Sequence, residues 1–266
     1  MIRILIGIVI SAFLASCALA PQVSPAVRSE LAPTGTLRVG IYFQNVLLAR
    51  KDPASGEALG VAVDIAGELA RRLGVPVKIV AYDTPGQMAT AVKTGAWDVA
   101  FLATDPARAG EITFTAPYIE IEATYLVPAG SPLRTIADVD SEGVRVAVAD
   151  KSANELYLSR SLQRARLMRA PTVTAAFKLF VADKLEALAD IKPRLVTVAE
   201  KLPGSRIIDG RFSVIQQAVG TPAGRAAGAK YLREFVEDVK ATGLVAQAIE
   251  KNGVHGLSVA PRASVQ

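Results

Sequence analysis

One cysteine and one histidine make up the entire thiol and imidazole inventory of the 266-residue chain. Such scarcity rules out a disulfide framework and a Cys/His zinc site, and it removes most Cys–His catalysis. His255 stands alone in Gly253-Val254-His255-Gly256 and reads as a surface residue, because a general base needs an orienting partner. Also absent are a dinucleotide or P-loop glycine signature and a nucleophile-elbow serine. No catalytic residue, cofactor or metal is therefore predicted. Glycine (20) and proline (15) are too few and too scattered for a collagenous or low-complexity chain. The basic excess is modest, 30 Lys+Arg against 25 Asp+Glu. Its one dense stretch, Arg160, Arg164, Arg166 and Arg169, reads as a solvated helix face, so nucleic acid is not an expected partner. What the chain does have is apolar content, 51%, in a length that suits one large domain or two smaller ones.

The only long apolar run is N-terminal. Arg3 precedes Ile4 to Leu14, and small residues follow from Ala15 to Ala20, the layout of a secretory signal peptide. Two cleavage points compete. Leu14-Ala15-Ser16-Cys17 resembles a lipobox, giving a leader of 1–16 and an acylated Cys17; Ala18-Leu19-Ala20 resembles an ordinary peptidase site, giving a leader of 1–20. The lipobox is preferred, since a single Cys after Leu-Ala-Ser is what that motif requires. Residues 17–35, polar and proline-punctuated from Pro21 onward, are expected to form a tether. The expected location is the periplasm, with a lipid anchor if Cys17 is the acylation point.

Beyond residue 36 the pattern alternates. Strands are predicted over Thr36–Ile41, Val77–Ala81 and Asp98–Leu102, with helices over Val61–Leu73 and Pro85–Lys93 between them. A second run begins near residue 143: strand Val144–Val148, helix Ala153–Leu162, strand Leu167–Arg169 and helix Thr174–Asp183. Extended segments at Arg206–Ile208 and Phe212–Val219 precede closing helices over Pro222–Lys240 and Leu244–Asn252. Two successive α/β units imply two lobes with a cleft, the default ligand site of such folds.

Leu37-Arg38-Val39-Gly40, Gly60 through Ala66, Thr94 through Ala100, Arg108 and Ile112 through Tyr118 together resemble the bacterial extracellular solute-binding proteins of family 3, the amino-acid type of ABC-transporter receptor. The resemblance covers about residues 33–258. It implies an α/β, two-lobed type II periplasmic-binding-protein fold, each lobe a mixed, mostly parallel sheet flanked by helices, joined by a two-segment hinge. Residues 36–119 plus 218–258 would form the first lobe, 123–213 the second and 259–266 a tail. The hinge crossings would lie near Ile119–Ala123 and Val214–Gln217. The implied protein is a monomer that closes on a small carboxylate-bearing solute, an amino acid or related compound, and docks on a membrane permease.

The resemblance also points to site residues. Arg108 matches the arginine that pairs with the ligand's carboxylate, a role suited to a planar guanidinium. Ser152 and Ala153 open a helix whose N–H groups would serve the same carboxylate, though Ser152 is equally a helix cap. Ala103 and Thr104 lie where first-lobe contacts fall. Asn45 replaces an aromatic that stacks on the ligand. Asp190 is the candidate acid for an amino group, one residue short of the family spacing from Glu186-Ala187. Asp64 reads instead as a carboxylate near a helix N-terminus. Two alternatives share the fold: a periplasmic dehydratase of the cyclohexadienyl type, using Glu155, Glu186 or Asp190, and a ligand-sensing partner of a membrane receptor.

Overall fold

The computed structural model describes residues 23–264. The leader, both cleavage sites and Cys17 lie outside the described residues. The chain opens with α1 (Pro25–Leu31), then β1 (Leu37–Tyr42) and a small hairpin, β2 (Arg50–Lys51) and β3 (Ala58–Leu59). There follow α2 (Val61–Leu73), β4 (Val77–Tyr82), α3 (Pro85–Thr90), β5 (Val99–Ala103) and a long β6 (Ile112–Val127). The second half contains β7 (Arg145–Ala149), α4 (Ala153–Ser161), β8 (Arg166–Ala170), α5 (Val173–Ala182), β9 (Ala187–Ile191) and α6 (Lys192–Ala199). The chain ends with β10 (Arg206–Ile207), β11 (Ser213–Pro222), α7 (Ala226–Ala241), α8 (Leu244–Lys251) and β12 (Ser258–Val259).

The main strand order is β4-β1-β5-β11-β6-β9-β7-β8. At one end β1 runs parallel to β4 and β5; at the other β7 runs parallel to β8 and β9. These are the sheets of two lobes, each covered by helices. The two strands between them, β6 and β11, are antiparallel partners that pass through both lobes. Their pairs Ile119↔Gln217, Glu120↔Gln216, Ile121↔Ile215 and Glu122↔Val214 are the two expected crossing segments, held side by side. The register slips just beyond, between Gln217 and Ala218 and again before Gly220. Such irregularities locally loosen a ladder and bend it.

The local reasons are ordinary. In α2, Val61, Ile65, Leu69 and Leu73 are fully buried on one face, and Gly74 closes the helix at φ 66, a left-handed geometry that costs a Cβ-free residue little. Gly60 enters the same helix at φ 132, and a Cβ there would meet the Leu48 carbonyl oxygen at 2.4 Å. Asp98, from the Gly95-Ala96-Trp97-Asp98 stretch, is fully buried, taking a forked pair from Arg38 (2.8 and 2.7 Å) and a third contact from Arg225 (3.2 Å). Asp64 meets Lys251 Nζ at 2.7 Å and Asn252 Nδ2 at 2.8 Å, a structural role as expected.

Two expectations change. The segment expected as tether contains α1, capped by Ser24, with Val27 and Leu31 buried and Glu30 accepting from Gly228 N–H at 2.7 Å. Apolar residues three or four apart made it part of the first lobe rather than a linker. The segment expected as a tail begins on β12, which pairs with β6, and Lys240 Nζ donates to the Pro261 carbonyl at 2.8 Å.

Candidate functional site

The carboxyl ends of β1, β5, β7 and β9 converge on a cavity of about 80 Å³ between the lobes. One water needs roughly 10–15 Å³, so the space suits a small multi-atom ligand. The first lobe contributes Tyr42 at the end of β1 and Asn45 after it, Ala103 at the end of β5 and Arg108 after it, and Met88 from α3. The second contributes Asp150, Ser152, Ala153 and Asn154 after β7, Asp190 from the end of β9 and Arg194 after it. Ile215 and Gln217 of β11 form part of the wall.

Arg108 is 6% exposed. Its Nη1 donates to the Ala103 carbonyl at 2.7 Å and its Nη2 to the Lys151 carbonyl at 3.0 Å, so one guanidinium joins both lobes. Neither acceptor is charged. Asp105 is engaged elsewhere, taking Arg160 Nη2 at 3.0 Å and Ala107 N–H at 2.8 Å. Burial lowers the Arg108 pKa to about 10, against a favourable field from Asp105; it stays cationic at neutral pH. A buried cation without an ion pair among the described residues is costly, and an anion placed beside it relieves that cost.

Opposite Arg108, α4 begins. Ser152 caps it, its hydroxyl accepting from Glu155 N–H at 3.1 Å, while Ala153 and Asn154 at the first two helical positions line the cavity. N–H groups at these positions have no partner within their own helix, so this end of a nine-residue helix favours an anion. Lys151 sits at φ 53, a left-handed conformation uncommon for a side-chain-bearing residue.

Asp190, 7% exposed, is already occupied. Its Oδ1 accepts from Ile191 N–H at 2.8 Å and its Oδ2 faces Arg194 Nε at 3.3 Å. Burial raises its pKa to about 6, with Arg194 pulling the other way. Burial likewise pushes the Tyr42 phenol up to about 12. Arg194 also donates across the cleft to the Gln44 carbonyl.

Of the residues singled out from sequence, Asn45, Ala103, Arg108, Ser152, Ala153 and Asp190 border this cavity. Thr104 does not. It lies one residue past β5 and borders a separate recess with Asp105 and Arg160, its N–H donating to the Gln216 carbonyl at 2.9 Å, which ties it to β11 rather than to the cleft. Arg160 and Arg169 are also more than a solvated face: Arg160 spans the lobes to Asp105, and Arg169 pairs with buried Glu155 at 2.8 Å. Sequence reasoning missed Asp150, Asn154 and Arg194. Asn154 could have been found two places after the cap, whereas Arg194, on the helix that follows Asp190, carries no local signal.

The family model for bacterial extracellular solute-binding proteins, family 3, matches residues 37–255. The chain belongs to this family. Among its relatives, the glutamine-binding protein of Geobacillus stearothermophilus is 24% identical over 191 residues, 70% of this chain and 72% of the relative. The L-cysteine solute receptor of Neisseria gonorrhoeae superposes with a TM-score of 0.72 at 21% identity, covering 85% of this family member and 92% of the receptor. An amino acid ABC transporter substrate-binding protein from Streptococcus pneumoniae, bound to L-arginine, gives 0.71 at 19% identity over 88% and 99% of the two chains. These likenesses establish the two-lobed fold.

Proposed function

We propose that the protein is the extracytoplasmic receptor of an ABC importer, binding one amino acid or related carboxylate-bearing solute between its lobes and delivering it to a membrane permease. The observation that carries this reading is Arg108, a buried cation unpaired with any described acid, facing the N-terminus of α4 across the cleft. The ligand's carboxylate completes both. Closure about β6 and β11 places donors from the two lobes on one anion, and the ligand shifts the hinge by its greater affinity for the closed form. Binding rather than turnover accords with the family's description and with the relatives, whose names are those of binding proteins. Export follows from the same family, and acylation at Cys17 would keep a monomeric receptor near its permease.

Thermal shift of the purified protein against amino acids and small carboxylic acids tests the reading. A true ligand at 100 times Kd stabilises by roughly 2.7 kcal/mol. Arg108→Ala should weaken binding by about 3 kcal/mol, roughly 150-fold, and Arg108→Lys should restore little, since a point charge cannot replace the fork. Failure of every carboxylate, or an undiminished shift in Arg108→Ala, would overturn the proposal.

A further inference from the structure

We infer that the cleft selects a zwitterion with an uncharged, hydrogen-bonding side chain, and that Asn45 and Asn154 from opposite lobes read that side chain. The inference rests on the binding reading above and names the class of its ligand.

The charges lining the cavity come first. They are Arg108, Arg194, Asp150 and Asp190, two of each sign. Arg194 and Asp190 are spent on each other and on backbone: Arg194 on Asp190 and the Gln44 carbonyl, Asp190 on Arg194 and Ile191 N–H. That leaves Arg108, whose hydrogen bonds go only to carbonyls, and Asp150, half-buried, whose carboxylate makes no hydrogen bond or ion pair to a described residue. One free cation and one free acid answer a carboxylate and an ammonium. A third ligand charge has no counter-ion here: a lysine-type side chain lacks an acid and a glutamate-type side chain lacks a cation.

The amides come second. Asn154 is 6% exposed, borders the cavity, and its Oδ1 is shielded from solvent with no hydrogen-bond partner. Asn45 borders the same cavity, and its Oδ1 is equally shielded and unpartnered. The nitrogen of neither amide donates to a described residue, so the point is independent of which way each amide is turned. Buried polar groups are ordinarily satisfied, and a site with two unsatisfied carboxamides discriminates against ligands that cannot hydrogen-bond to them. With its Oδ1 shielded, each amide has its Nδ2 donors left for the ligand, matching a carbonyl or hydroxyl oxygen and mismatching an alkyl chain.

Isothermal titration with L-glutamine, L-asparagine, L-threonine, L-leucine, L-lysine and L-glutamate provides the test. At least one of the first three should bind tenfold or more tightly than any of the last three. Asn45→Ala and Asn154→Ala should each weaken that ligand about tenfold while changing L-leucine less than threefold. Asn154→Leu, near-isosteric and compatible with the helix, should narrow the preference over L-leucine, and circular dichroism checks that each variant is folded. Tighter binding of lysine, glutamate or leucine, or variants that leave the ratio unchanged, would overturn the inference and leave the receptor reading standing. Binding of no amino acid or carboxylate would overturn both.

Discussion

Asp190 carries its negative charge at a cost. Its carboxyl is buried beneath Tyr42 and Arg194, and its pKa lies near 6 rather than at the ordinary 3.8. The folded protein therefore holds this proton more tightly than the unfolded chain does. The stability it contributes is fully present below about pH 3.8 and is lost as pH rises through about 6. Asn at this position imitates the protonated acid at every pH. Asp190→Asn should thus gain on the unsubstituted protein between pH 4 and pH 8 by up to about 3 kcal/mol, read as the pH dependence of the difference in urea midpoints. A constant difference across that range would show that Asp190 titrates normally. Asp190, though one residue short of the family spacing, could be named as a candidate, and Arg108 was legible because it matches the pattern by type and place. Arg194 was not, since nothing local in a sequence says that a helix-borne arginine turns back on an acid four residues earlier.

Among the elements, strands and helices with a clear period were legible to within about four residues; α2 runs over Val61–Leu73 as predicted, while α7 starts four residues later than expected. Others were not: the all-buried β9 (Ala187–Ile191) and the short α6 (Lys192–Ala199) show no period and were not predicted, and β6 and α1 escaped for reasons of their own. The 16-residue β6 mixes inward and outward faces because it serves two lobes in turn, so no single alternation runs along it. Helix α1 is seven residues long, too short to show a period, and its helical state depends on packing against α7. That dependence works both ways. Leu31 is fully buried, and a Cβ on Gly228 would meet its Cδ2 at 2.7 Å. Leu31→Ala should cost about 2–5 kcal/mol of unfolding free energy in urea titration. A protein shortened to begin at residue 34 should lose at least as much, and an unchanged midpoint would return this segment to the status of a linker.

Across the whole molecule, three arginines span the cleft: Arg108 to the Lys151 carbonyl, Arg160 to Asp105, and Arg194 to the Gln44 carbonyl. All three hold the lobes together without reference to a ligand. Under the proposed closure they would set the fraction of closed protein before binding, which scales the apparent affinity. Arg160 is the one to remove, because it borders the recess with Thr104 rather than the main cavity. In Arg160→Ala the ligand-free protein should scatter X-rays with a larger radius of gyration, and the ligand should bind a few-fold more weakly while recovering the same compact form. An identical radius without ligand would mean that the pair contributes nothing to closure. The two-lobed plan was legible as two successive α/β runs. The spanning arginines were not, since their partners lie 43, 55 and 150 residues away in the chain.

Trp97 is the only indole in the protein, fully buried, its Nε1–H donating to the Met88 carbonyl at 2.9 Å. Met88 in turn forms part of the cleft wall. The fold has thereby placed the one indole a single residue away from the cleft, fully buried in an apolar cluster. Its emission should lie at short wavelength whether or not the cleft is filled. Occupancy should then register as a change in intensity or lifetime at nearly constant colour. The protein thus carries its own optical gauge, needing no dye or label.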